Sequence, residues 1–324
     1  MIDYLAEEDF YSRKFYFSYS GLNKLLYSPS IFYKHYVLNQ QEERTDAHLV
    51  EGKLLHCLLL EESKFDDQFI IMPGSVPTGQ SKALVNRVYE RAMGDPLARV
   101  QLKDFENEIL EILQQIDYHQ RLKTDAQRIE KVLTEDAVNY FEFLKSRGNK
   151  DVIDEETLQR IKEYADVVRG NSTAMATLNG LATDTLLSEF PLKFDLPDKP
   201  FGIKGILDRV VVNSNSVPAI VDLKTTGKSI VEFKDTVEFY NYWLQAAIYD
   251  KLVRLHFNVP NDQHVDFTFV VIDKYQQVYS FPVEKNTTLL WRDKLEEKLN
   301  IAEYHYSNRS YNLPYEFAVG QITL

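Results

Sequence analysis

Apolar positions recur at helical spacing through the first part of the chain and at strand spacing later. In residues 17–38, FSYSGLNKLLYSPSIFYKHYVL, Ser18 or Ser20 can N-cap a short helix, and Ser28-Pro29 ends it and starts a second. In 48–62, HLVEGKLLHCLLLEE, the positions Gly52, Leu55, His56, Leu59 and Leu60 fall on one helical face. Residues 72–79, MPGSVPTG, read as a loop from their Pro and Gly content. From about 80 to 180 the chain is polar with helical periods, as in FENEILEILQQI and DEETLQRIKEYADVVRG, and Gly148-Asn149 and Gly170-Asn171 are stops. This stretch reads as a helical insertion.

After 184 the period changes to two. Segments 186–196, 201–213 and 217–226 are rich in β-formers, and Pro197-Asp198 and Asn213-Ser214-Asn215 separate them. Three strands with tight connections predict an antiparallel meander. A helix is expected around 237–256, strands at about 265–273 and 277–284, and a final helix from 286. That order predicts an α/β core with a central mixed sheet flanked by helices.

The chain has 324 residues, enough for one large domain or one domain with a substantial insertion. The expected organisation is a single domain over 1–324. Its parts are N-terminal helical motifs at 17–62, the insertion at about 80–180, a core at about 184–285 and a C-terminal helical part at 286–324. No apolar run approaches the roughly 20 residues that span a bilayer, and the acidic N-terminus lacks a signal-peptide apolar region. A cytoplasmic protein is therefore expected. Cys57 is the only cysteine, which excludes an internal disulfide and a cysteine-ligated cluster. The net charge is −12, from 37 basic and 49 acidic residues, and argues against tight non-specific coating of DNA.

The informative chemistry is Asp208 followed by Asp222-Leu223-Lys224. Asp222 and Lys224 are two apart on a strand and project to one face, with Leu223 turned to the core. A turn at 213–216 would lay the Asp208 strand against them. A buried carboxylate pair repels itself, and a hard cation such as Mg²⁺ removes that cost. The Leu223 carbonyl offers another oxygen. Such a cation polarises a phosphate and acidifies water, and Lys224 suits the charge that develops. An Asp-x-Lys triplet is also common as a solvated ion pair. Here, however, both aspartates lie in apolar strands, GILDRVVV and PAIVD, where a charge needs a reason.

Five blocks in order resemble the PD-(D/E)XK nuclease superfamily, in its RecB-like and RecE-like (exodeoxyribonuclease VIII) branch. They are Ser20-Gly21-Leu22 through Ser28-Pro29 and Phe32; Gly52 to His56 within GKLLHCLLLE; Glu189 before FPLKF; Gly205-Ile206-Leu207-Asp208-Arg209 with Asp222-Leu223-Lys224-Thr225-Thr226; and Gln245 to Tyr249. The resemblance implies a restriction-endonuclease-like core and a Mg²⁺ or Mn²⁺ cofactor. His56 and, as an acidic residue on the first core strand, Glu189 join Asp208, Asp222 and the Leu223 carbonyl around the metal. Gln245 and Tyr249 face the site with the catalytic Lys224. Relatives often bind an iron–sulfur cluster; Ser28 stands before Pro29 here and no cysteines follow the core, so no cluster is expected.

The activity implied is exonucleolytic cleavage of double-stranded DNA from ends, of phage or prophage recombination type. The expected partners are double-stranded DNA ends, a single-strand annealing protein, and further copies in a homo-oligomer. The setting is a bacterial or phage-infected cell. Alternatives are a structure-specific or single-strand endonuclease on the same core, and an inactive DNA-binding or scaffold protein. A zinc hydrolase lacks a suitable ligand pair. His56, Gln245 and Tyr249 could instead be packing residues and Glu189 an exposed strand-edge carboxylate. The aromatic cluster Phe239, Tyr240, Tyr242 and Trp243 reads as core packing, with base stacking the competing role. Lys82, Arg87 and Arg91 read equally as phosphate contacts or as a solvated helix face.

Overall fold

The computed structural model describes residues 2–40, 47–93, 100–213 and 217–320. Two compact units divide the chain: residues 1–61 with 164–324, and residues 62–163. The described strands are β1 (Tyr16–Phe17), β2 (Phe69–Ile71), β3 (Asp151–Ile153), β4 (Thr185–Asp195), β5 (Gly202–Val212), β6 (Ala219–Thr226), β7 (Phe267–Asp273) and β8 (Val278–Pro282).

The first unit holds a mixed sheet of six strands. β4 and β5 form a long antiparallel pair from Thr185–Val212 to Asp195–Gly202. The other edge of β5 is shared. β1 runs parallel to it at Gly202 and Ile203, and β6 pairs antiparallel only along Arg209–Val211. β6 then continues parallel to β7 from Ile220 to Thr226, and β7 pairs antiparallel with β8. The three-strand meander expected from the sequence is present, but β5 and β6 part company just where Asp208 and Asp222 stand. Residues 204–208 of β5 therefore have no strand beside them on that edge among the described residues. The separating turn at 214–216 lies outside the described residues, as do residues 321–324 of the expected C-terminal part.

Helix Tyr242–Phe257 is buried along most of its length, from Trp243 to Arg254, because it packs against β4 and β5 on one side and helix Lys285–Asn308 on the other. Its Leu244, Ile248 and Leu252 join Leu207, Phe269, Val271, Leu295 and Leu299 in one core. Burying each such side chain contributes about 1.5–3 kcal/mol. The single helix expected over 237–256 is broken. Helix Phe233–Phe239 ends first, and Asn241 takes a left-handed φ of 56° before the next begins. Asparagine tolerates that conformation, and its side chain is fixed from both sides: its amide donates to Asn23 Oδ1 at 2.8 Å and its carbonyl accepts from Trp243 Nε1 at 2.9 Å.

Helix Ala47–Leu60 packs against β5 and β6. Leu54, Leu55, Cys57, Leu58 and Leu60 are all buried, a broader face than the sequence spacing predicts, and His56 lies at its edge. Ser18 caps helix Tyr19–Tyr27 by accepting the Gly21 N–H at 3.2 Å, and Ser28-Pro29 breaks the chain into the next helix as expected. Helix Lys285–Asn308 fills the place of the final helix.

The second unit is mostly helical. Helices Gly79–Ala92, Glu106–Gln115 and Glu135–Arg147 enclose Leu84, Val88, Phe105, Ile109, Ile112 and Phe141. It also contains the short parallel pair β2–β3, which the helical reading of 80–180 does not include. Gly148 ends its helix with a positive φ, as the Gly-Asn stop predicts.

Candidate metal centre and active site

The site forms where β5 and β6 separate. The carboxylate of Asp208 turns into the gap, and its Oδ2 accepts the Leu223 N–H at 2.8 Å. Leu223 would otherwise have lost a ladder partner, and a buried amide without one costs free energy. The Leu223 carbonyl faces His56 Nε2 at 2.9 Å. His56 Nδ1 lies 3.4 Å from Glu189 Oε1 and 3.6 Å from Asp208 Oδ1. The ligand atoms of His56, Glu189 and Asp208 all fall within 4.8 Å of one another.

Glu189 stands opposite Asp208 in the β4–β5 register, between the pairs Ser188–Arg209 and Phe190–Leu207. Its φ is +43°, a left-handed backbone that a glutamate adopts at a cost of about 1–3 kcal/mol. That strain turns its carboxylate toward His56, so Glu189 is half-buried at the cluster rather than out on a strand edge.

Asp222 is fully buried, and neither of its carboxylate oxygens has a hydrogen bond. The Lys224 ammonium approaches Oδ2 at 2.6 Å as an ion pair, at an angle that misses hydrogen-bond geometry. Asp273 is equally buried but accepts the backbone N–H groups of Ile230, Tyr275 and Gln277, and Asp250 accepts Arg254 Nε at 2.8 Å. Those two carboxylates hold the fold. Asp222 is buried without such a purpose, and burying an unsatisfied charge is expensive.

The charges shift one another. Burial raises the Asp222 carboxyl to about 6, with Asp208 adding to the rise and Lys224 opposing it. Burial of the His56 ring disfavours its proton, but the Asp208 and Glu189 carboxylates outweigh this and raise it to about 9. Burial likewise works against the Lys224 ammonium, and Asp222 and Asp208 overcome it and hold the amine above its ordinary value.

Gln245 and Tyr249 share a face of helix Tyr242–Phe257. Gln245 Nε2 donates to the Tyr249 hydroxyl at 3.0 Å, which donates to the Ile206 carbonyl at 2.7 Å. Ile206 lies in the unpaired stretch of β5, so Tyr249 takes the place of the missing strand there. The other Gln245 amide atom, Oε1, is buried without a partner. Burial and the carboxylates of Asp208, Asp222 and Glu189 push the Tyr249 hydroxyl well up, so it stays protonated.

Of the expected metal ligands, His56, Glu189 and Asp208 converge, with the Leu223 carbonyl beside His56, whereas Asp222 pairs with Lys224 and is not one of the three converging donors. Gln245 and Tyr249 stand nearby, with Tyr249 on the Ile206 carbonyl. Two further neighbours adjoin Lys224: Tyr242, which the sequence pattern places in core packing, and Tyr19, which it does not single out. Tyr242 lies under the Lys224 ammonium, 4.9 Å from ring centroid to Nζ, and Tyr19 packs against Tyr242. The i, i+3 spacing of Tyr242 to Gln245 was the available signal. The aromatic cluster does not pack as a unit: Trp243 is buried, whereas Tyr240 is 46% and Phe239 72% exposed. Lys82, Arg87 and Arg91 belong to the second unit, where Arg91 pairs with Glu111 at 2.8 Å and Lys82 lies over the Tyr140 ring.

A sequence model of the PD-(D/E)XK nuclease superfamily matches residues 16–312. The chain belongs to that superfamily. The mixed sheet with flanking helices is its restriction-endonuclease-like fold. None of the curated proteins matches the sequence. Two solved structures are similar over much of their length. One, described as a "Putative exonuclease" from Eubacterium rectale, is 13% identical, with 95% of this chain and 83% of that one covered and a TM-score of 0.44. The other, SSO0001, is 12% identical over 67% of this chain and 85% of its own, with a TM-score of 0.24.

PD-(D/E)XK nucleases use divalent metals, and the donors of this nuclease suit one. Carboxylates, a carbonyl and an imidazole converge. Asp222 adds a fully buried carboxylate whose Oδ2 meets the Lys224 ammonium and whose Oδ1 has no hydrogen bond. Among the described residues no helix is long and apolar enough to cross a membrane.

Proposed function

We propose that this nuclease is a divalent-metal-dependent deoxyribonuclease that hydrolyses double-stranded DNA from its ends, of the phage or prophage recombination type. The observation that carries the reading is the His56–Glu189–Asp208 cluster, whose ligand atoms lie within 4.8 Å of one another, beside Asp222, a fully buried carboxylate paired with the Lys224 ammonium. A bound Mg²⁺ or Mn²⁺ would polarise the scissile phosphate and acidify an attacking water. The chain's own groups do the rest. Asp208, Asp222, Glu189, His56 and the Leu223 carbonyl hold and orient. Lys224, kept charged by its aspartate neighbours, sits where it can orient the water and stabilise charge developing at phosphorus. Tyr249 stays protonated and donates to backbone, fixing Gln245, whose free Oε1 remains an acceptor inside the site.

DNA must reach this site on a chain of net charge −12. A groove of about 500 Å³ that Tyr249 and Ile206 line also carries Lys193 and Lys204. These lysines are register partners across β4 and β5. The Lys193 ammonium lies over the Tyr16 ring at 3.9 Å, and together the two lysines give the groove a positive wall that suits a phosphate backbone. Weak long-range attraction also favours retention by topology, so we assign a closed homo-oligomer around the duplex. A single-strand annealing protein would then take the strand left behind, in a bacterial or phage-infected cell.

The test is linear, nicked and closed-circular DNA incubated side by side with Mg²⁺. Progressive loss of linear duplex with intact closed circles is the expected result. Linearised circles would favour the endonuclease reading, and no cleavage of any form in Mg²⁺ or Mn²⁺ would favour an inactive DNA-binding protein.

A further inference from the structure

The aromatic corner between helices Phe233–Phe239 and Tyr242–Phe257 carries an arrangement that phosphodiester hydrolysis does not use. Phe239 and Tyr240 meet edge-on at 5.0 Å or less, with centroids 4.9 Å apart. Tyr240 stacks on Tyr242 at 5.6 Å, and Tyr242 lies under the Lys224 ammonium at 4.9 Å. The row therefore runs from the catalytic lysine outward, in three contacts of similar length, to solvent. Its outer end is capped by a second cation, Lys228 Nζ, 5.3 Å from the Phe239 centroid.

This exposure is held in place. The left-handed Asn241 that turns the corner is locked by Asn23 and Trp243, and the Tyr19 hydroxyl donates to the Tyr240 carbonyl. Two large rings are thus kept in water by a cross-braced corner, an exposed apolar face that a flat ligand could cover. That ligand must offer flat π-faces and negative charge, because the rings come interleaved with two ammonium groups. Unpaired nucleobases on a phosphate backbone meet both requirements, because every base has a π-face that can stack on an aromatic ring. A base inside the duplex has both faces covered, and the last pair of a blunt end offers only its outer face, so successive open faces come only from unpaired bases. We propose that Phe239 and Tyr240 are a stacking platform for unpaired bases next to the scissile phosphate, so that this nuclease holds frayed or tailed ends in preference to blunt duplex. This rests on the nuclease reading for its choice of ligand and specifies the form of DNA bound.

The experiment uses the full chain in excess chelator, so that nothing is cut. The probes are a blunt duplex and the same duplex with a short single-stranded tail containing 2-aminopurine. Expected results are quenching of the tail fluorophore by the wild type, and loss of that quenching in Phe239→Leu/Tyr240→Leu. The tailed-duplex Kd should rise tenfold or more in the double variant, while the blunt-duplex Kd stays constant. Phe239→Trp should keep both. Equal losses on the two probes, or none, would overturn the platform. So would a change in the sedimenting mass of the double variant with unchanged affinity for the tail, which would make the rings a contact between copies. The wild type is also given Mg²⁺ and the tailed duplex. Cleavage without quenching removes the platform and leaves the nuclease reading; quenching without cleavage does the reverse.

Discussion

Asp208 and His56 grip the two ends of one residue's backbone: Asp208 Oδ2 accepts the Leu223 N–H at 2.8 Å, and His56 Nε2 faces the Leu223 carbonyl at 2.9 Å. Leu223 itself is buried on the core side. The residue between the two signature side chains is thus anchored by its packing and by both of its peptide groups. Asp222 and Lys224, on either side of it, are aimed by that anchor and not by hydrogen bonds of their own.

Asp222→Asn should therefore separate activity from stability. The substitution removes a fully buried charge that burial disfavours, but it also takes from the buried Lys224 ammonium its partner at 2.6 Å, so the metal-free protein keeps its fold with a modest loss of stability while the reaction is lost. Cleavage should fall to the level seen in excess chelator. Thermal unfolding beside a cleavage assay checks this. A large drop in Tm with residual metal-dependent activity would show Asp222 to be structural.

Lys224→Ala should reduce the turnover by about 10²–10³-fold, the usual loss when one transition-state donor is removed, while affinity for DNA is kept. Single-turnover rates and binding measured on one duplex separate these. A weaker Kd with unchanged turnover would make Lys224 a phosphate contact only.

Much of this was legible before any coordinates. The chemistry-bearing residues sit in strings whose period fixes their direction: Asp222 and Lys224 two apart on a strand, Gln245 and Tyr249 four apart on a helix. The order of strands and helices followed from the same periods. What could not be read depends on register and on partners distant in sequence. The short β5–β6 ladder, the left-handed Glu189 and the facing Lys193–Lys204 pair leave no local signature. The aromatic cluster misled because apolar residues in a row look like core. A single left-handed Asn241 divides them, placing Trp243 inside and Phe239 outside.

The stability of the metal-free protein should fall between pH 6 and 9. His56 is raised in the folded state to about 9 from an ordinary 6.5. A proton held more tightly by the folded form stabilises it fully below the lower value, and that contribution is lost as pH rises toward the upper one. Asp222, raised from 3.8 to about 6, behaves the same way in a lower window. Added Mg²⁺ should recover more stability at pH 9 than at pH 6, because a metal-ligating imidazole must be neutral. Tm against pH, with and without metal, checks this; His56→Gln should flatten the upper part of the metal-free curve.

Lys204→Ala should weaken DNA binding in a salt-dependent manner and leave the fold unharmed. Lys204 has no carboxylate partner among the described residues, and its register neighbour is Lys193. Lys204 is exposed and Lys193 lies over the Tyr16 ring, so Tm should hold. If the pair neutralises a phosphate, the slope of log affinity against log salt should shrink by about 1. Turnover at saturating DNA should not change, since the lysine lies along the groove and not at the metal cluster. Affinity measured at three or more salt concentrations reads the slope directly. An unchanged slope would place the DNA backbone elsewhere, and a fall in turnover at saturation would bring Lys204 into the reaction itself.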